Sequence, residues 1–139
     1  MMSVEGTIRE LLVAATTSTY TQVGIRVYAG SAPDDFVNSQ KVIMFTFEDL
    51  LSDPDVEEHS VLVVFDCFGG DGLNKTHVNA KAVAVALYDT IHGYAKYNTV
   101  KISGTLLSAV QEGYTHMIDP DAGYHFIRCV YAMLLRPNT

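Results

Sequence analysis

The chain has 139 residues, 48% of them hydrophobic, and its 16 acidic and nine basic side chains leave a formal charge of -7. That length supports one domain with its own core and is short for two. The acidic balance excludes a protein whose main task is gripping nucleic acid, which needs a concentrated excess of Lys and Arg. Residues 1–10 hold no basic run ahead of a long apolar core, and no apolar stretch approaches the roughly 20 residues of a membrane span. The expectation is a soluble protein made in the cytoplasm, with no membrane partner.

In chain order, Val4, Ile8, Leu11, Leu12 and Ala15 keep a helical stripe and predict a short amphipathic first helix running up to a Thr-rich end at residues 16–21. Residues 24–29 are rich in β formers and predict a strand, which Gly30, Pro33, Asp34 and Asp35 then break. Residues 42–47 (Val-Ile-Met-Phe-Thr-Phe) predict a second strand. Residues 48–59 carry Glu48, Asp49, Asp53, Asp55, Glu57 and Glu58 around Pro54 and predict an acidic loop.

The apolar run Val61, Leu62, Val63, Val64 and Phe65 predicts a third strand. It passes through a corner with Gly69, Gly70 and Gly72 into a helix that Thr76 opens and Gly93 closes. Two apolar rows run along that helix: Val78, Ala82, Val85 and Ala86 form one, and Ala80, Val83, Leu87 and Ile91 the other. So broad an apolar circumference has to be covered on more than one side. Residues 97–110, with Gly104 as a bulge, lead to residues 114–118. Asp119-Pro120-Asp121-Ala122-Gly123 then has the composition of a hairpin turn, and residues 124–135 form the returning strand before Pro137. The order implies an α+β fold: an antiparallel or mixed sheet of about four to five strands with two α-helices packed on it.

Three stretches bear on chemistry. Residues 69–76 depart from the phosphate-binding pattern G-x-x-x-x-G-K-[ST] by Asn74 in place of the second glycine, and Asp71 puts a negative charge where phosphates would sit. The favoured reading is a turn whose glycines set backbone angles. His116, Asp119, Asp121 and His125 flank the hairpin tip and could face one another across two strands as metal ligands, yet their spacing matches no known metal motif and turn formation explains both aspartates. Cys67 and Cys129 each lie in an apolar strand, which predicts buried, reduced thiols rather than a nucleophile. No catalytic residue, metal or cofactor is expected. The candidate interaction residues are Asp34 and Asp35 in one polar loop and Glu48, Asp49, Asp53, Asp55, Glu57 and Glu58 in the other. These loops are expected to be mobile in the free subunit and to order in an assembly.

Arg26-Val27-Tyr28 followed by Ala32-Pro33, the strand at 42–47, the apolar run before a helix containing Ala86-Leu87-Tyr88-Asp89, and Asp119-Pro120-Asp121 with Gly123 before the last strand together resemble the tail-completion or tail-terminator family of long-tailed bacteriophages. The resemblance covers nearly the whole chain. The sequence departs from that pattern in having Ser39-Gln40-Lys41 where a proline precedes the second strand, and Asp66-Cys67-Phe68 where an aromatic ends the third. It implies a virion protein with no active site, a ring-forming subunit, commonly a hexamer, that stops tail-tube growth and meets the head-neck connector proteins. DNA would pass through such a ring without specific binding, and the acidic balance suits that. Two other readings stay open: a neck or head-tail joining protein, and a small ligand-binding domain or enzyme using the corner at 69–76. Apart from the resemblance, the broad apolar surface of the helix and the long strand edges predict self-association through sheet edges and the loops beside them.

Overall fold

The computed structural model describes residues 4–30, 41–51, 59–69, 77–97, 105–118 and 125–136. Among these residues three helices, α1 (Val4–Leu12), α2 (Ser18–Val23) and α3 (His77–Tyr97), accompany five strands: β1 (Val27–Ala29), β2 (Val42–Leu51), β3 (His59–Phe68), β4 (Thr105–Ile118) and β5 (His125–Arg136). The strands form one sheet in the order β1-β2-β3-β5-β4. β1 runs parallel to β2 and every other neighbouring pair is antiparallel, so the sheet is mixed and the fold is α+β, as the sequence implies. Because β5 is antiparallel to both β3 and β4, those two strands run in the same direction. A parallel return needs a crossover, and α3 supplies it; β5 then comes back through the gap.

Alternation along the central strands places the core. On β3, Val61, Val63, Phe65 and Cys67 are buried, and on β5, Ile127, Cys129, Tyr131, Met133 and Leu135. These residues share one face, against which the helices lie. Phe65 is the centre of that face, its ring 5.8 Å from Phe45 and 5.6 Å, nearly edge-on, from Tyr131. α3 contributes Ala80, Val83, Leu87, Ile91 and Tyr94 to the same core, and α1 adds Ile8, Leu11 and Leu12.

Several boundaries differ from the expected ones. The first helix stops at Leu12, and the Thr-rich stretch forms α2. Thr17 caps α2 by accepting from the Tyr20 N–H, and Gly24 ends it at φ 61°, a left-handed backbone that favours glycine. This short helix has little apolar stripe, and a buried hydroxyl pair ties it down. Thr19 Oγ1 lies 2.7 Å from Thr90 Oγ1 on α3, the Thr19 N–H donates to Thr90 Oγ1 at 3.1 Å, and both hydroxyls reach the Ala86 carbonyl.

Gly93 does not close α3, which continues to Tyr97 because Tyr94, buried in the core, rewards another turn. Glu48 and Asp49 are not in a loop. They extend β2, paired with Leu62 and Val61, and Leu51 pairs with Ser60 after a bulge. Here the ladder of an apolar partner strand outweighs the polar composition. β4 is continuous, with irregularities at Leu106/Ser108 and Gln111/Gly113, while Gly104 lies outside the described residues. So do Thr76, the corner beyond Gly69, and the turn at 119–124. Gly69 itself packs under the start of α3: a Cβ there would sit 2.7 Å from the Ala80 backbone nitrogen, so only glycine lets strand and helix approach this closely.

Candidate functional site

The acidic residues Asp34, Asp35, Asp53, Asp55, Glu57 and Glu58 lie outside the described residues, and Glu48 and Asp49 are placed only by their backbone in β2. The histidines at the hairpin do come together. His116 Nε2 and His125 Nδ1 are 2.8 Å apart with the ring planes only 16° from parallel. The centroid separation of 5.0 Å equals that distance plus the two ring radii, so the imidazoles meet end to end in one plane through an N–H···N bond rather than face to face. Asp119 and Asp121 are outside the described residues, and among the described residues no group of three or more His, Cys, Asp or Glu side chains is placed to hold a metal.

Cys67 and Cys129 are free and buried on the helix-covered face. Hydrogen bonding to Cys129 and complete burial push the Cys67 thiol well above its ordinary value. A thiol so placed is a poor nucleophile, in keeping with the sequence expectation.

Among the described residues three surfaces are left for contact. The first is the sheet face opposite the helices. Met44, Leu62, Val64, Phe68, Val130, Ala132 and Leu134 are only half-buried there, although they sit beside the core in an alternating ladder. In their midst Arg128 donates to both carboxylate oxygens of Asp66, at 2.8 and 3.1 Å, and its guanidinium lies 5.8 Å from the Phe126 ring, which stacks on Phe68. The hydrogen bonds from Arg128 to Asp66 hold the guanidinium pKa above its ordinary value. A forked pair in an apolar field fixes orientation more than it adds stability.

The second surface is the outer row of α3. Of the two apolar rows in the sequence, Ala80, Val83, Leu87 and Ile91 are buried, and Ala86 lies under α2, but Val78 is 62% exposed and Val85 is also open to solvent. The fold covers two sides of this helix and leaves the third.

The third is a cleft of about 560 Å³ between α3 and the irregular part of β4. Tyr88 and His92, one helical turn apart with their rings parallel at 5.4 Å, form one wall. Gln111, Glu112 and Tyr114 form the other, and Tyr131 of β5 is the floor. Burial is the main reason the Tyr131 phenol is pushed far above its ordinary value, so it keeps its proton and remains a donor. The sequence marked none of these residues as a site, Tyr88 entering only through the family resemblance. The available signal was a tyrosine at a core position of an otherwise apolar strand, whose hydroxyl needs a partner there.

Among the described residues no helix is long and apolar enough to cross a membrane. No protein-family model matches the chain, and no curated protein sequence matches it. Among solved structures, the chain is similar to a chain of the virion of a native gene transfer agent particle, with a TM-score of 0.68 and 18% identity, over 96% of this chain and 94% of that one. At that identity the likeness is one of fold, shared end to end.

Proposed function

We propose that this chain is a structural subunit of a phage-like virion, one that closes into a ring at the head-proximal end of the tail tube, stops its growth and joins it to the head-neck proteins. The observation that supports this reading is the near-complete mutual coverage with a virion chain. The tail-terminator resemblance of the sequence supports the position in the particle. The open surfaces support assembly: a half-buried apolar sheet face and an exposed row on α3 are more than one small chain covers alone. Cyclic symmetry closes heterologous contacts, so each subunit presents two different surfaces and growth ends without a free edge. The polar stretches holding Asp34, Asp35, Asp53, Asp55, Glu57 and Glu58 make the contacts toward tube and connector in this reading.

A net charge of -7 per subunit opposes self-association, so salt favours the ring and the tail tube acts as its template. Native mass spectrometry at high protein concentration, with and without purified tail tubes, tests the proposal. A closed oligomer of fixed stoichiometry on the tubes is expected, and a monomer in every condition overturns it. Binding to the head connector but not to the tube would instead assign a neck protein.

A further inference from the structure

Two histidines stand near the ends of the long antiparallel pair β4 and β5. His116 lies opposite Ile127 and His125 opposite Ile118, so the two are diagonal neighbours on one face of the ladder, a separation that long side chains bridge. His116 is exposed and His125 half-buried, which leaves packing a weak reason for either ring. Their hydrogen bond is a weak reason too, because water offers an exposed imidazole the same bond. The pairing does bring His116 Nε2 within 2.8 Å of His125 Nδ1, with the ring centroids 5.0 Å apart and the planes 16° from parallel. Two imidazoles on one metal ion, through bonds of about 2.0–2.1 Å at a right or tetrahedral angle, hold their nitrogens about 2.9–3.4 Å apart and their centroids about 4.5–5.3 Å apart. The observed pair falls inside the second range and just short of the first. Turning the rings about their present centres aims both lone pairs at one point beside the N···N line, and the near-common plane of the rings suits donation to an ion lying in it.

We propose that His116 and His125 form a cross-strand site for one divalent transition-metal ion of the imidazole-seeking kind, Zn2+, Ni2+ or Cu2+, bound through His116 Nε2 and His125 Nδ1 with water in its remaining positions. Nitrogen donors select these ions over Mg2+ and Ca2+, which take oxygen ligands. In the neutral pair one ring donates its N–H to the other. On binding, water carries that proton to the outer nitrogen of the same ring, so both inner lone pairs reach the ion and no net proton is lost. The ion clips the edge strand β4 to β5, and because it needs both strands in register it binds the folded chain and stabilises it by mass action. The site is complete without Asp119 and Asp121, which lie outside the described residues. It stands on this geometry whether or not the virion reading holds.

The test is calorimetric titration of the chelator-treated full chain with zinc, nickel, copper(II) and magnesium chlorides, joined to long-range 1H–15N spectra of the histidine rings with and without zinc. One ion per chain is expected, with a Kd in the micromolar range, copper the tightest and magnesium giving no heat. The zinc-induced nitrogen shifts should fall on His116 Nε2 and His125 Nδ1. His116→Gln and His125→Gln should each weaken zinc binding about tenfold or more and remove the rise in melting temperature that zinc gives the unaltered chain, while His92→Gln leaves both as they were. The ring spectra of the unaltered chain decide the matter even where a variant folds poorly. No heat with any of the three transition ions at millimolar concentration overturns the proposal, as does binding that neither variant weakens, or ring shifts at His59, His77 or His92 instead. One zinc per two chains would also overturn it, by placing the ion between copies.

Discussion

The two faces of the sheet are built from the same kinds of residue and have different surroundings. Phe65 and Val64 are adjacent on β3, one under the helices and fully buried, the other on the bare side and only half-covered by its strand neighbours. The covered face packs Phe45, Phe65, Tyr131, Leu87 and Ile91 into one core, which holds the fold together. The bare face is nearly as apolar but is interrupted by the Asp66–Arg128 fork, a pairing that keeps an apolar surface wettable and oriented until something covers it. Burial within one chain therefore accounts for half of the sheet's composition, and assembly is the proposed reason for the other half.

The contrast breaks most visibly under truncation. Phe65→Ala should cost about 3–5 kcal/mol in urea unfolding, since it removes a ring from a site with no room to collapse, whereas Val64→Ala on the bare face should cost about 1 kcal/mol or less. Equal losses would show that both faces are covered in the free chain. Next in size is Gly69→Ala, expected to cost about 1–3 kcal/mol because the new methyl meets the α3 backbone, which cannot rotate away. Thr90→Val belongs in the same range. It leaves the Thr19 N–H and hydroxyl without their shared partner and should loosen α2 ahead of global unfolding, visible as faster hydrogen exchange over residues 18–23.

How much of this was legible in the sequence follows from which forces are local. β3 and β5 were readable because long β-branched and aromatic runs pair with one another, and α3 because its inner row repeats at helical spacing. α2 was not, although Thr17 and Gly24 are ordinary cap residues, because its stability comes from a hydroxyl pair with Thr90, 71 positions away in the chain. Glu48 and Asp49 read as a loop because composition was weighed without their partners Leu62 and Val61. Gly93 read as a stop, yet the burial of Tyr94 just beyond it carried the helix on. The meeting of His116 and His125 was foreseeable from hairpin symmetry. The cleft was not, since it needs the crossover of α3 to bring Tyr88 and His92 over Tyr131.

Smaller effects sharpen the comparison. Tyr131→Phe should add about 1 kcal/mol at neutral pH by removing a buried hydroxyl that has no hydrogen-bond partner among the described residues. Its effect grows in alkali: with its folded pKa raised above 10.0, wild-type Tyr131 contributes fully below pH 10 and loses that contribution as pH rises, because the unfolded chain ionises first. The variant should accordingly lose less stability above pH 10, measured by unfolding at fixed urea. Smallest is Asp66→Asn with Arg128→Gln. Removing this partly exposed fork should change stability by roughly 0.5 kcal/mol or less, and a larger loss would mark it as part of the core.

The most direct test of the bare face is oxidative footprinting of the methionines in the free chain and in assembled particles. Met44 and Met117 lie half-buried on the bare face and Met133 is buried under the helices. Met44 and Met117 should oxidise readily in the free chain and be protected in the particle, with Met133 slow in both. Equal oxidation of Met44 and Met117 in free and assembled protein would contradict it.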